Sequence, residues 1–411
     1  MASFVSYTTE RSGRRWRVWY KAPDGRRAKR SGFKTKREAV EWYERLTQDF
    51  REGTYSSETQ KRTLVGECLD SYFAAALNLA PATRANWESV AKNWVYPDWA
   101  RREVGSVKST DVEEWLARIM RAPREITRGR GTMLATAGAP TAQRAVLVLQ
   151  RAFVYAIKAG LIHRNPALGV TVPDIEQHEA LDHDRDEGDG PPPTGLRNPY
   201  LTFPQLLTLA NSIHPRYRLL VFTLGTTGMR FSEAAALRKR NVDVVRNRIY
   251  ISRAVTEVKG QLYVGPVKNR RPREVPIPAP LRRRLAERLA ELGPDDLLFP
   301  SADGKHLRIG LWRRRYFYPA LQAANAELLA QHLEPIPPIT PHGLRHTAAS
   351  LAVQSGANPL LIQRMLGHQN ITMTMNRYAD LFNEDLNEVS DKMAALFDQK
   401  TMEAYGQVVS F

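Results

Sequence analysis

Along residues 14–21, "RRWRVWYK", the apolar side chains Trp16, Val18 and Tyr20 alternate with Arg15, Arg17, Trp19 and Lys21. A period of two puts the first set on one face of a strand and the second on the other. Asp24-Gly25 then offers a hairpin turn. A third strand near Arg26–Gly32 and a helix over about 36–50 complete a three-stranded sheet backed by a helix, within residues 1–55. From 63 to 172 the period becomes helical. Leu64, Cys68, Tyr72 and Phe73 form one stripe, Pro81 opens "PATRANWESVAKNW", and Thr110 caps "DVEEWLARIM". A helix over about 140–159 sets Arg144, Arg151 and Lys158 on one face and Leu147, Val154 and Ile157 opposite. Between these last two helices, "EITRGRGTMLATAG" reads as a flexible loop.

The pattern stops at residues 173–198. Residues 174–190 hold eight acids and one arginine, and "PPP" follows. Such a stretch cannot build a core and reads as a linker. Periodicity resumes over 199–398. Helices are expected at 203–213 and on both sides of a Gly-rich turn in "YRLLVFTLGTTGMRFSEAAALR". Residues 248–277 carry β-branched and aromatic residues broken at Lys259-Gly260 and 269–272, which predicts a small antiparallel sheet. Helices near 278–292, 312–331, 341–355, 359–366, 371–379 and 384–397 follow. The last carries Leu386, Val389, Met393 and Leu396 at 3-4-3 spacing, an apolar stripe suited to its own domain or to a neighbouring protomer. Residues 399–411 form a tail. The expected chain is multidomain and mainly α with small β-sheets.

Charge narrows the function. Sixty Lys+Arg face forty-three Asp+Glu, a net +17, which points to a polyanionic partner, nucleic acid first. Residues 1–53 alone hold fourteen basic and seven acidic side chains. Arg15, Arg17, Trp19 and Lys21, with Arg144, Arg151 and Lys158, are the candidate DNA contacts. Taken singly, each basic face could equally be a solvated surface. No apolar run reaches a membrane span, no apolar leader precedes "RRWRVWYK", and a single cysteine, Cys68, excludes an internal disulfide. No Walker loop or metal-ligand spacing is present.

The chemistry concentrates in five fragments. In "ITPHGLRHTAAS" Thr340 can cap a helix and Pro341 can sit in its first turn, so His342, Arg345 and His346 share one turn at an anion-attracting N-terminus. "TTGMRFSE" sets Arg230 three residues before Glu233. "PVKNRRPREVPI" puts Lys268 at a hairpin tip. "LGH" brings His368 just after a helix-ending glycine, and "NRYAD" holds Tyr378. Each fragment alone is weak; an isolated tyrosine is ordinarily a core residue.

In this order, over about 150 residues, the set resembles the tyrosine recombinases of the phage-integrase family. The match is strong over the catalytic segment, weaker over the helical segment with "GLIHRNPALGV", and loosest over the first 53 residues, which resemble arm-type DNA-binding modules. The resemblance implies an arm-binding domain (1–55), a SAM-like core-binding domain (63–172), a linker (173–198) and a mixed α+β catalytic domain (199–398). It assigns Tyr378 as nucleophile, with Arg230, Lys268, His342, Arg345 and His368 as its catalytic partners and Glu233 and His346 in support. It implies a site-specific recombinase, without metal or nucleotide cofactor, that joins DNA through a 3′-phosphotyrosyl link and a Holliday junction. Implied partners are double-stranded core-type and arm-type sites, three further protomers in a homotetramer, and an excisionase or host DNA-bending protein, in the cytoplasm of a bacterial host and not at a membrane. Rival readings are a chromosome-dimer-resolving recombinase, which the N-terminal module disfavours, a type IB topoisomerase, and a non-catalytic DNA-binding regulator. The residue types fit the chemistry: guanidiniums stay charged and match phosphate oxygens in forked pairs, while a phenol that ionises near pH 10 needs a proton acceptor, for which His342 is the candidate, and Lys268 is the candidate acid.

Overall fold

The computed structural model describes residues 2–9, 13–23, 25–52, 62–128, 131–172, 199–267, 270–378, 381 and 393–395. The chain divides into two compact units, residues 1–180 and 181–411. The expected linker 173–198 and tail 399–411 lie outside the described residues, as do Leu386, Val389 and Leu396. Met393 is 51% exposed. Among the described residues no helix is long and apolar enough to cross a membrane.

The first unit opens with three antiparallel strands in sequence order, β1 (Ser3–Thr9), β2 (Gly13–Lys21) and β3 (Arg27–Phe33), followed by a helix, Lys36–Glu52. The alternation in β2 holds. Val18 and Tyr20 are buried with Phe33 against Ala39 and Leu46, while Trp19 is 38% exposed. On the polar side Lys29 lies 5.3 Å from the Trp19 ring centre, and Arg17 lies 4.6 Å from that of Tyr7. These cation–π contacts hold long basic side chains against the sheet.

The helical part of this unit has its own core. Helices Val65–Ala75, Pro81–Val90, Ser109–Arg121 and Ala139–Lys158 surround Trp94, Trp99 and Trp115. A π turn, Ala91–Val95, carries the second of them into Tyr96–Trp99. The Trp115 indole donates to Asp98 at 3.0 Å, and Asp98 also meets Arg118 and Arg124 at 3.1 and 2.7 Å. Three expectations need correction. Asp111, not Thr110, closes the start of its helix by accepting the Lys108 backbone N–H at 3.0 Å. The last helix buries Ala142, Ala145, Leu149, Ala152, Phe153 and Ala156, whereas Ile157 is exposed. Small alanines let neighbouring helices approach that face, which outweighs the larger side chains elsewhere. "EITRGRGTMLATAG" is not a loop: β4 (Arg124–Arg128) pairs with β5 (Gly131–Ala135) as an antiparallel hairpin, with Ile126 opposite Met133 and Thr127 opposite Thr132. Those β-formers carry a strand signal that the neighbouring arginines obscured.

In the second unit, helix Phe203–Ser212 starts in a capping box. The Thr202 hydroxyl accepts from the Gln205 N–H, and the Gln205 carboxamide accepts from the Thr202 N–H at 2.9 Å. It packs on helices Pro215–Thr227 and Tyr318–Ala330. Gly225 permits that contact: a Cβ there would lie 2.5 Å from Leu206 Cδ1. Gly225→Ala should therefore lower stability by about 1–3 kcal/mol, read from chemical denaturation.

The β-region forms two sheets rather than one. In the first, β7 (Arg248–Ile251) lies between β6 (Val242–Asp243) and β10 (Arg273–Pro276). The second is a separate hairpin of β8 (Arg253–Val258) and β9 (Gln261–Pro266), turning at Lys259 and Gly260 with φ of 49° and 81°. Two left-handed residues suit a tight two-residue hairpin. That is the described hairpin tip; Lys268, expected at one, falls between β9 and β10 outside the described residues. Helices Ala279–Ala290, Gly343–Gln354, Pro359–Leu366 and Ile371–Tyr378 complete the unit, with Gly343–Gln354 packed on Pro215–Thr227.

Candidate active site

Four chain turns converge here. Gly228, left-handed at φ 67°, ends helix Pro215–Thr227 and delivers Arg230, which precedes the single turn Phe231–Ala234. Gly367, at φ 71°, ends Pro359–Leu366 and delivers His368. Both positions favour glycine because a Cβ is strained there. Arg273 begins β10. Helix Gly343–Gln354 presents Arg345 and His346. It starts later than Thr340 and Pro341 suggest: the Gly343 N–H returns to the Thr340 carbonyl at 2.9 Å, so these two form a preceding turn that ends in His342.

Glu233 is the anionic centre, 2% exposed. Arg273 grips it with both nitrogens, Nη1 to Oε1 at 2.8 Å and Nη2 to Oε2 at 2.7 Å. Arg230 Nη1 donates to Oε1 at 3.1 Å, and the Arg230 backbone N–H to Oε2 at 2.8 Å. Burial alone would push this carboxyl up, but Arg273, then Arg230 and Arg345, outweigh it and hold it at about 2. Arg345, 2% exposed, donates to the Gly228 carbonyl at 2.7 Å and the Leu366 carbonyl at 2.6 Å. Two guanidiniums thus grip one carboxylate and the field of a third, Arg345, reaches it in a largely dry region, an excess of positive charge that an anion would offset.

The histidines and the tyrosine lie beside them. His346 Nδ1 is 2.9 Å from the Tyr378 hydroxyl, and the hydroxyl-bearing residue is 2% exposed. The His342 and His346 rings meet edge to face, 5.1 Å between centres. His368 Nδ1 lies 2.9 Å from the Thr374 hydroxyl. His346 is held well below the ordinary imidazole range, first by burial and then by the positive fields of His342, Arg377, Arg345 and His368. It is therefore neutral at pH 7, able to accept a proton.

The structure thus gathers Arg230, Glu233, His342, Arg345, His346, His368 and Tyr378 in one region. The imidazole at 2.9 Å from the tyrosine hydroxyl is that of His346, one turn beyond His342, the acceptor expected from the sequence. Arg273, five residues after Lys268 in "REVPI", joins this region through its bidentate contact with Glu233. Among the DNA-contact candidates, Lys21, Arg144 and Lys158 are exposed, and Arg15 and Arg17 half-buried. Arg151 is half-buried, its guanidinium 5.5 Å from the Trp87 ring centre.

Residues 200–385 match the model of the phage integrase family. Over 386 residues the chain is 25% identical to the integrase of Mycobacterium phage D29, covering 90% of this chain and 91% of that protein. An integrase of transposon Tn1549, solved with a circular intermediate DNA, superposes with a TM-score of 0.58 at 20% identity, over 81% of this chain and 100% of that one. A lambda integrase tetramer bound to a Holliday junction gives 0.51 at 16% identity, over 92% of this chain and 96% of that one.

Proposed function

We propose, for a chain that belongs to the phage integrase family of tyrosine recombinases, that Tyr378 is the nucleophile of a DNA cleavage and rejoining reaction. The hydroxyl oxygen attacks the scissile phosphorus while its proton passes to His346. The bond to the 5′-oxygen breaks, and Lys268 supplies the proton this leaving group takes. Arg230 and Arg345, with His342 and His368, face the non-bridging oxygens, whose charge grows in the transition state. Each such donor is worth about 3–4 kcal/mol. A second 5′-hydroxyl then attacks the phosphotyrosine, releasing Tyr378 and restoring a phosphodiester, so no bond energy is lost to water.

One observation carries this reading: a neutral imidazole lies 2.9 Å from the buried Tyr378 hydroxyl beside guanidiniums that outnumber their carboxylate. The partner is double-stranded DNA, and the assembly that exchanges strands is a homotetramer on it; the relatives solved with DNA and on a Holliday junction support both. Residues 1–55 would read arm-type sites through the Arg15, Arg17 and Lys21 face. Residues 63–172 would hold the core site through Arg144 and Lys158, and the catalytic domain at 199–398 would cleave it. An excisionase or host DNA-bending protein would set direction, in the cytoplasm of a bacterial host.

A core-site duplex nicked beside the cleavage point traps the covalent product. Wild-type protein should accumulate a 3′-phosphotyrosyl adduct. Tyr378→Phe should form none, a loss of at least about 10⁴-fold, with DNA affinity unchanged by gel shift. An adduct in the phenylalanine variant would remove Tyr378 from its role, and tight binding without any wild-type adduct would favour the regulator reading.

A further inference from the structure

The contacts at the site close into a ring, and Arg273 is its middle link. Arg230 is joined to Glu233, Glu233 to Arg273, and Arg273 Nε donates to the Met365 carbonyl at 2.9 Å. The next carbonyl, Leu366, accepts from Arg345, whose other contact is the Gly228 carbonyl, two residues before Arg230. Two arginines thus hold consecutive carbonyls at the C-terminal end of helix Pro359–Leu366, where the macrodipole favours cations. The chain then turns at Gly367 into His368. The Arg273 stem lies against that turn: a Cβ on Gly367 would be 2.9 Å from Arg273 Cδ and 3.1 Å from its Nε. A shared carboxylate and shared backbone therefore tie Arg230, Arg345 and His368 to one side chain.

We infer that Arg273 is a positioning residue for the cleavage step, fixing the spacing of Arg230, Arg345 and His368 through Glu233 and the Met365–His368 turn without itself meeting the phosphate. The inference rests on the recombinase reading. Lysine at 273 keeps the charge and loses the fork: one ammonium cannot span both Glu233 oxygens and the Met365 carbonyl in this planar geometry. A misplacement of about 1 Å costs on the order of 10²-fold in a positioned reaction.

The test measures single-turnover adduct formation on the nicked duplex, DNA affinity and melting temperature for the full chain. Arg273→Lys should cleave about 10²-fold more slowly while DNA affinity and melting temperature stay close to wild type. Wild-type cleavage in that variant overturns the inference. So does a slower cleavage that disappears at saturating DNA, which would place the defect in binding. Should Arg273→Lys fail to fold, Arg273→Gln decides, because its carboxamide still donates to one partner while losing the fork. Slow cleavage with unchanged affinity then supports the inference, and full-rate cleavage overturns it. Absence of a Tyr378-dependent adduct in the wild type would instead remove the recombinase reading, before any variant is compared.

Discussion

Glu233→Gln is expected to lower the melting temperature of the second unit by roughly 10 °C. The reason is charge rather than shape. Glutamine nearly matches the volume of glutamate and can still accept a hydrogen bond, but it leaves Arg230 and Arg273 without the anion they grip and Arg345 without its nearby field. Removing one partner of a buried ion pair costs about 3–5 kcal/mol, and each kcal/mol shifts the midpoint of a unit this size by about 2–4 °C. The pH dependence gives the same group a second signature. Its folded value, about 2, lies below its ordinary value of 4.5. The contribution is therefore complete above pH 4.5 and is lost as pH falls from 4.5 toward 2. Over that interval it amounts to about 3 kcal/mol. Differential scanning calorimetry of both proteins between pH 7 and pH 3 checks this. The wild type should lose more stability than Glu233→Gln on acidification, so that the two curves converge. Parallel curves would mean that Glu233 does not carry the balancing charge.

What was readable in the sequence follows from which physics is local. The alternation of Trp16, Val18 and Tyr20 with Arg15, Arg17 and Lys21 fixes β2 because the strand period acts on adjacent residues. The glycines at 228 and 367 end helices for an equally local reason, a left-handed backbone. The "RH" of "HGLRHT" likewise places Arg345 and His346 on one helical turn. Where the reading fell short, the deciding contact was distant in sequence. Arg273 reaches Glu233 across 40 residues, and His346 reaches Tyr378 across 32. The spacing in "KNRRPREVPI" singles out Arg273 but not its partner, and nothing between residues 342 and 346 says which imidazole a tyrosine on another helix will meet. The β4–β5 hairpin failed for another cause: its arginines resembled a polar loop, although Ile126, Thr127, Thr132 and Met133 carried the strand signal.

The neutrality of His346 has a kinetic consequence. The groups facing it are His342 in the turn before its helix, Arg345 on that helix, His368 beyond Gly367, and Arg377 and Tyr378 on helix Ile371–Tyr378. Burial and the positive fields of these groups, Tyr378 excepted, keep His346 neutral in the protein without DNA. Adduct formation by the wild type should be flat above about pH 6.5, the ordinary imidazole value, and should fall only at lower pH. Folding responds with the same sign. The folded value lies below the unfolded one, so the unfolded chain takes up the proton first, and stability present above about pH 6.5 declines as pH falls below it. Rates must therefore be compared only where melting curves show the protein folded. His346→Asn separates the two effects, because its carboxamide oxygen sits near the place of Nδ1 and accepts a hydrogen bond without titrating. It should form adduct about 10²–10⁴-fold more slowly, the usual loss of a proton acceptor, and its rate should lack the acid limb. If the limb persists in His346→Asn and disappears in His342→Asn, the proton from Tyr378 goes to the other imidazole, and the 2.9 Å contact only orients the nucleophile.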